Sequence, residues 1–458
     1  MSQPGATTTA RFEVKMTHRS ADLEIPVVIR ARIATPAPVL PRHPFVFAIW
    51  MSAASMVAVA AGLVLGILAA TEASIGGSRW TPSVQAHGRL QLFGFVATFV
   101  VALALEFLIR LNGRPAFSAR VRIVVPALLG GGALALAAGQ VWHDTIGALA
   151  YAGGAAFLCG ALSFAVLTWR IPLSRPVRVD PQPLFMRAAA AWLAVAGALA
   201  LWGVAEAEAG VIPLDISSAT VEVFLRGFVT LTIIGVGLRA FAGHLGLQPP
   251  GPGRLLVVYS LLNASVVAWL LASGVGALQA SSWLERIADA AFAAGLVAFV
   301  AWFGLLTSLR RARGGPRYTL LIPLAWVGAM AYAALLAATA VLPGGHSLGL
   351  YEDGAIRHTY LLGFIVPLMI AMAHVVLARF ALGFVPWENA LTGGFFLLFA
   401  AWPLRTIPFL FESAPSTPSR WLLTTAGLLA MAGLFLVATV CARTAQLATR
   451  RARQLARA

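Results

Sequence analysis

Residues 85–95, Gln85-Ala-His-Gly-Arg-Leu-Gln-Leu-Phe-Gly-Phe95, open an apolar run that continues to about Arg110. Two later stretches echo it, Glu222-Val-Phe-Leu-Arg-Gly-Phe228 and His358-Thr-Tyr-Leu-Leu-Gly-Phe364. Each carries Gly-Phe early in an apolar run. A polar residue precedes it, and an arginine stands near the far end: Arg110, Arg239 and Arg379. Gly94, Gly227 and Gly363 are about 135 residues apart, and self-similarity at a fixed period marks an internal repeat.

Around these stretches the chain is apolar almost throughout. Of its 458 residues 59% are hydrophobic and 11% charged, and the mean hydropathy is +0.84. Soluble domains carry roughly 25% charged residues. Apolar runs of about 20 residues define membrane-spanning helices. Twelve such runs are read at 45–69, 85–110, 122–141, 145–169, 185–206, 219–242, 254–277, 284–308, 319–342, 357–382, 388–411 and 421–443. The three Gly-Phe stretches fall on the second, sixth and tenth. The predicted fold is therefore an all-α integral membrane protein. Its twelve transmembrane helices form three pseudo-repeats of four, each with a marked second helix.

The net charge of +16 raises nucleic acid as a partner, and the distribution of the charge argues against it. Arginines collect after the even runs, for example Arg114 and Arg120, Arg170 to Arg178, and Arg310 to Arg317. The other connections carry Glu72, Asp144, Glu206, Glu208, Asp215, Glu285, Glu352 and Asp353. This asymmetry predicts a bacterial inner-membrane protein with both termini cytoplasmic. Trp50, Trp80, Trp142, Trp283, Trp387 and Trp421 stand at run ends, where an interfacial belt places them. Residues 1–44 read as a weakly ordered cytoplasmic extension, with Pro26, Pro36, Pro38 and Pro41 opposing one long helix. The membrane domain spans 45–443, and 444–458 read as a basic tail. Cys159 and Cys441 supply neither a disulfide framework nor a CxxC site.

His87 and His358 begin the second and tenth runs at matching depth. Imidazole nitrogen is a common axial ligand of haem iron, so a facing pair could hold a b-type haem. The bland alternative makes each an interfacial residue bonded to a loop. Gln91 and Gly94 share the His87 face, Gln91 to orient the imidazole and Gly94 to admit a flat macrocycle or a neighbouring helix. On the tenth run His358, Leu362, Ile365 and Met369 form one stripe. His374 lies sixteen residues beyond His358, about 24 Å deeper, and is expected to make a satisfied polar contact. Arg226 is a charge inside the apolar region, either paired with Glu222 four residues earlier or bound to an anion such as a haem propionate. Glu106 and Asp289 are weaker candidates for a proton path, and His143 and His346 are further candidate metal ligands in loops. No CxxCH, Walker or HExxH motif occurs.

The runs AHGRLQLFGFV, LRGFVTLTIIGVGLRAFAGHLG and RHTYLLGFIVPLMIAMAHVVLARFALG, with HPFVFAIW before the first span, resemble the NnrS family over roughly residues 40–445. That resemblance implies a twelve-span inner-membrane protein containing haem, with copper as a second metal, linked to nitric oxide metabolism and nitrosative stress. More distantly the chain is similar to the catalytic subunit of haem-copper oxidases, also twelve helices in three pseudo-repeats. This implies His87 and His358 as ligands of a low-spin haem b, with Arg226 near its propionates. The oxidase pattern His-x-His-Tyr is reduced here to His358-Thr359-Tyr360, and the sixth and seventh runs carry no histidines for a binuclear centre. The expected ligand is a small molecule such as nitric oxide, with an unassigned electron donor. A twelve-span secondary transporter and a structural subunit without cofactor remain as alternatives, since Gly363 and Pro367 interrupt the tenth run.

Overall fold

A run of apolar side chains in lipid leaves backbone amides and carbonyls no partner but each other, so each run must close its own hydrogen bonds as a helix. The computed structural model describes residues 45–70, 79–111, 117–171, 180–273, 282–311, 315–341, 350–411, 416–455 and 457. Within them twelve helices are long and apolar enough to cross a membrane. They are α1 (Val46–Leu65), α2 (Trp80–Leu108), α3 (Ala119–Val141), α4 (Ala148–Trp169), α5 (Gln182–Ala205) and α6 (Leu214–Leu245). The second half comprises α7 (Pro252–Ala272), α8 (Ser282–Phe303), α9 (Tyr318–Val341), α10 (Glu352–Leu377), α11 (Glu388–Leu410) and α12 (Thr417–Gln454). The chain is an all-α, twelve-span membrane protein. Residues 1–44, Glu72 and His346 lie outside the described residues.

The packing follows the repeat. The third and fourth helices of each unit form a tight hairpin, α3 with α4, α7 with α8 and α11 with α12. The fourth helix of each unit packs on the first helix of the next, α4 on α5, α8 on α9 and α12 on α1, which closes a ring. The second helices are inside that ring. Of the most apolar stretch of α2, α6 and α10, 78, 83 and 89% is buried, against 33–56% in the other spans. The marked helices of the sequence are thus the inner helices of the fold. Outward-facing side chains such as Ile49, Leu63, Val124, Leu162 and Phe435 are exposed, as a lipid-facing surface requires. Trp142, Trp283, Trp387 and Trp421 are exposed at helix ends.

Each inner helix widens into a π-helical segment at its Gly-Phe pair: Leu90–Ala97 in α2, Val223–Val229 in α6 and Leu361–Ile365 in α10. In two of them a threonine hydroxyl reaches the carbonyl five residues back, Thr98 to Phe93 at 3.2 Å and Thr230 to Leu225 at 2.7 Å. A π-turn inserts one residue per turn and rotates everything beyond it, so positions that share a face in an ideal helix part company. The expected stripe His358–Leu362–Ile365–Met369 crosses such a segment. Tight approach accompanies the widening. A Cβ on Gly328 of α9 would stand 2.0 Å from the Gly363 carbonyl oxygen, so α9 meets α10 there backbone to backbone.

Several boundaries differ from the sequence reading. α2 starts at Trp80 and α10 is helical from Leu350, so His87 and His358 stand about two turns inside their helices rather than at the first residues. Glu352 and Asp353 occupy the first turn of the α10 helix, where acidic groups favour the helix dipole and extend it past the apolar boundary. α8 ends at Phe303, ahead of the expected 308, because Gly304 adopts φ +71°. The last helix runs on past residue 443 to Leu455, carried by strong helix formers such as Ala, Gln and Arg.

Candidate functional site

The two histidines of the inner helices are held alike. His87 Nδ1 lies 3.1 Å from the Ala61 carbonyl of α1, and His358 Nδ1 lies 2.6 Å from the Gly354 carbonyl one turn back. A carbonyl only accepts, so in both rings Nδ1 carries the proton and Nε2 keeps its lone pair. Neither Nε2 has a hydrogen-bond partner among the described residues. Both side chains are half-buried, and a Cβ on Gly88 beside His87 would meet nothing within 4 Å. The two imidazoles are within electrostatic reach of each other, and both are within reach of the Arg405 guanidinium of α11. The structure therefore sets His87 and His358 within electrostatic reach of one another. It adds Arg405, which the sequence reading missed. Arg405 sits near the end of the eleventh run beside Pro403 and Pro408, and its only sequence signal was a charge inside an apolar span.

Gln91 does other work than expected, and Gly94 takes the second of its two expected roles. Gln91 Nε2 donates to the Ala58 carbonyl at 3.0 Å, so it ties α2 to α1 and does not hold His87. A Cβ on Gly94 would stand 3.0 Å from Val57 Cγ1, so the glycine admits a neighbouring helix rather than a macrocycle.

Arg226 lies in a buried ion cluster on α6, α8 and α10. Its Nε donates to Glu222 at 2.7 Å, and its Nη2 forms an ion pair with Asp289 of α8 at 2.7 Å. The Glu222 carboxylate also accepts from Arg357 Nε at 3.1 Å, and Arg357 reaches Asp353 at 3.0 Å and Ser218 at 2.6 Å. Phe292 and Trp269 lie under the Arg226 guanidinium, at 5.3 and 5.9 Å. Below the charges Tyr332 stacks on Tyr360 at 4.2 Å, and the Tyr360 hydroxyl bonds Thr230 Oγ1. Both readings of Arg226 assumed at most one carboxylate. The second, Asp289, comes from a span about sixty residues away and is visible only in three dimensions.

Other candidates separate from this end. Glu106 is paired with Arg122 of α3 at 2.9 Å, a closed contact between neighbouring helices. His374 is 2% exposed, and neither ring nitrogen has a hydrogen bond among the described residues; Glu388 Oε1 lies 3.8 Å from Nδ1. The expected satisfied contact is thus not seen there. His143 follows α3 and opens the single helical turn His143–Ile146, its Nδ1 buried without a partner among the described residues. Farther along the inner helices, Phe99, Phe107, Thr232, Phe241, Met369 and Met372 line a largely apolar cavity of about 80 Å³. No group of three or more His, Cys, Asp or Glu is placed to hold a metal ion among the described residues.

The fold defines a polytopic helical membrane protein, with an imidazole on each of two of its inner helices. No family model matches the chain, and no curated protein matches it in sequence.

Proposed function

We propose that the chain is a haem-binding inner-membrane protein, with His87 and His358 as the two axial ligands of a haem b between α2 and α10. The observation that carries this is that each Nδ1 lies against a backbone carbonyl, which can only accept. Each ring spends its Nδ1 proton on a carbonyl and leaves Nε2 as a lone-pair donor, the state a ligating imidazole needs and the orientation a second partner normally fixes. Arg405, in electrostatic reach of both rings, supplies the positive charge that a propionate seeks. It takes the role the sequence suggested for Arg226, whose charge is met by Glu222 and Asp289.

The haem, when bound, supplies an iron that cycles between ferric and ferrous. Two strong ligands suit electron transfer. Reaction with a small molecule such as nitric oxide would need one imidazole to leave, and His358, bonded within its own helix, is the less anchored to its neighbours. A role in nitric oxide metabolism or the response to nitrosative stress, with both termini cytoplasmic, rests on the family resemblance and the arginine asymmetry. The closed ring of three four-helix units favours this reading over a transporter built from two halves.

The test is the absorption spectrum of the purified protein, oxidised and dithionite-reduced, beside His87→Ala and His358→Ala. A Soret band that sharpens on reduction and is lost or shifted in both variants is expected, followed by a shift on titration with nitric oxide. A colourless protein from haem-replete cells would overturn the haem, and an unchanged spectrum in either variant would overturn that ligand.

A further inference from the structure

Arg89 lies two residues beyond His87 on the opposite side of α2. His87 turns to Ala61 of α1, whereas Arg89 Nη1 donates to Gln140 Oε1 of α3 at 2.6 Å. The residue is 5% exposed and its Nη2 has no hydrogen-bond partner among the described residues. A guanidinium stays protonated in a protein, so this is a full positive charge inside the bundle.

The neighbours do not neutralise it. Gln140 passes the polarisation on, its Nε2 donating to Gln85 Oε1 at 2.9 Å. Gln85 closes the chain on the backbone, donating to the Ile212 carbonyl at 2.8 Å and accepting from the Ile212 amide at 3.0 Å. Every link is neutral. The other deeply buried arginines of the spans contrast sharply: Arg122 has Glu106, and Arg226 has Glu222 and Asp289. No described carboxylate faces Arg89. A second buried nitrogen without a described partner borders the Gln140 backbone. A Cβ on Gly210 would lie 2.4 Å from the Gln140 carbonyl oxygen and 2.8 Å from His143 Nδ1, which is itself buried and unpartnered. Removing one partner of a buried charge normally costs several kilocalories, so a site that lacks an acidic partner by construction calls for a counter-charge from outside the chain.

We propose that Arg89, with Gln140 orienting it, is the centre of a monovalent anion site between α2, α3 and the segment that precedes α6, supplied by a free inorganic anion or by a lipid phosphate. The site is separate from the two-histidine site on the other face of α2, and it stands whether or not that site binds haem.

The experiment follows thermal unfolding of the full-length protein in phosphatidylcholine nanodiscs while chloride or nitrate replaces gluconate at constant ionic strength. A Tm that rises and saturates is expected for the wild type, and a flat response for Arg89→Gln. Gln140→Glu places a carboxylate against the guanidinium, so it too should lose the anion dependence; this variant keeps the test decisive if Arg89→Gln does not fold. A response to phosphatidylglycerol with none to chloride or nitrate supports the site with a lipid phosphate as occupant. Equal slopes in wild type and both variants, or no response to either anion source, would overturn the proposal. Water as the sole occupant would give that second result.

Discussion

Two polar regions lie near the same end of the bundle and are built on opposite terms. Around Arg226 every charge has an opposite charge: two arginines and three carboxylates close on one another across α6, α8 and α10. Around α2 the groups are left with open valences: among the described residues, neither His87 nor His358 has a partner for Nε2, and Arg89 has no carboxylate. A closed cluster fixes helix positions and resists any ligand, because inserting one means breaking a buried pair. An open set is poor at fixing anything and well suited to receiving something. The difference separates a buried charge that holds the fold from one that awaits a partner, although residue type alone makes them look alike.

The comparison breaks most readily at Arg226. Arg226→Ala leaves Glu222 and Asp289 buried without their cation, and a loss of about 3–5 kcal/mol is expected, read as a collapse in folded yield or in chemical unfolding. A change confined to a few tenths of a kilocalorie would show instead that the cluster is solvated. Steric closure between α9 and α10 comes next. Gly328→Ala forces a methyl into the Gly363 carbonyl, and about 1–3 kcal/mol should be lost, measured as a fall in Tm. Tyr360→Phe removes the hydroxyl that meets Thr230 and should cost about 1 kcal/mol, with an unaltered absorption spectrum, because the cluster below the charges is structural.

On the open side the expected cost is smaller. Cofactor-free His358→Leu should lose less than about 1 kcal/mol by thermal unfolding, since its one hydrogen bond stays within its own helix. A loss as large as that of Arg226→Ala would place His358 among the fold-holding groups. The smallest effect belongs to the surface pair Arg79–Asp144 at 2.8 Å. The Arg79 hydrogen bond holds the Asp144 carboxyl below its usual range, so whatever it contributes is present at neutral pH and is lost as pH falls through that lowered value. Both groups are largely exposed, and Arg79→Ala should leave Tm at pH 7 unchanged while the Asp144 titration moves up toward its ordinary midpoint.

Local sequence determined the spans, the three-unit repeat and the special status of the second, sixth and tenth helices. Hydropathy acts residue by residue along about 20 positions, and a repeated Gly-Phe is visible without any partner. The same locality explains why His87 and His358 were legible as a pair: equivalent places in equivalent units lie at equivalent depths. What surrounds each polar side chain was decided only by the tertiary structure. Gln91 was expected to hold His87 and instead grips Ala58, and Arg226 gained Asp289 from another helix of its unit. Arg357 and Arg405 entered the picture only through their neighbours in the packed structure. The reason is rotational. A π-turn shifts the face of all that follows it, and the inner helices each contain one, so an ideal helical period cannot say which neighbour a side chain meets. Arg89 shows the limit most clearly. Its charge is written in the sequence, but the lack of a carboxylate opposite it among the described residues is a property of the packed helices alone.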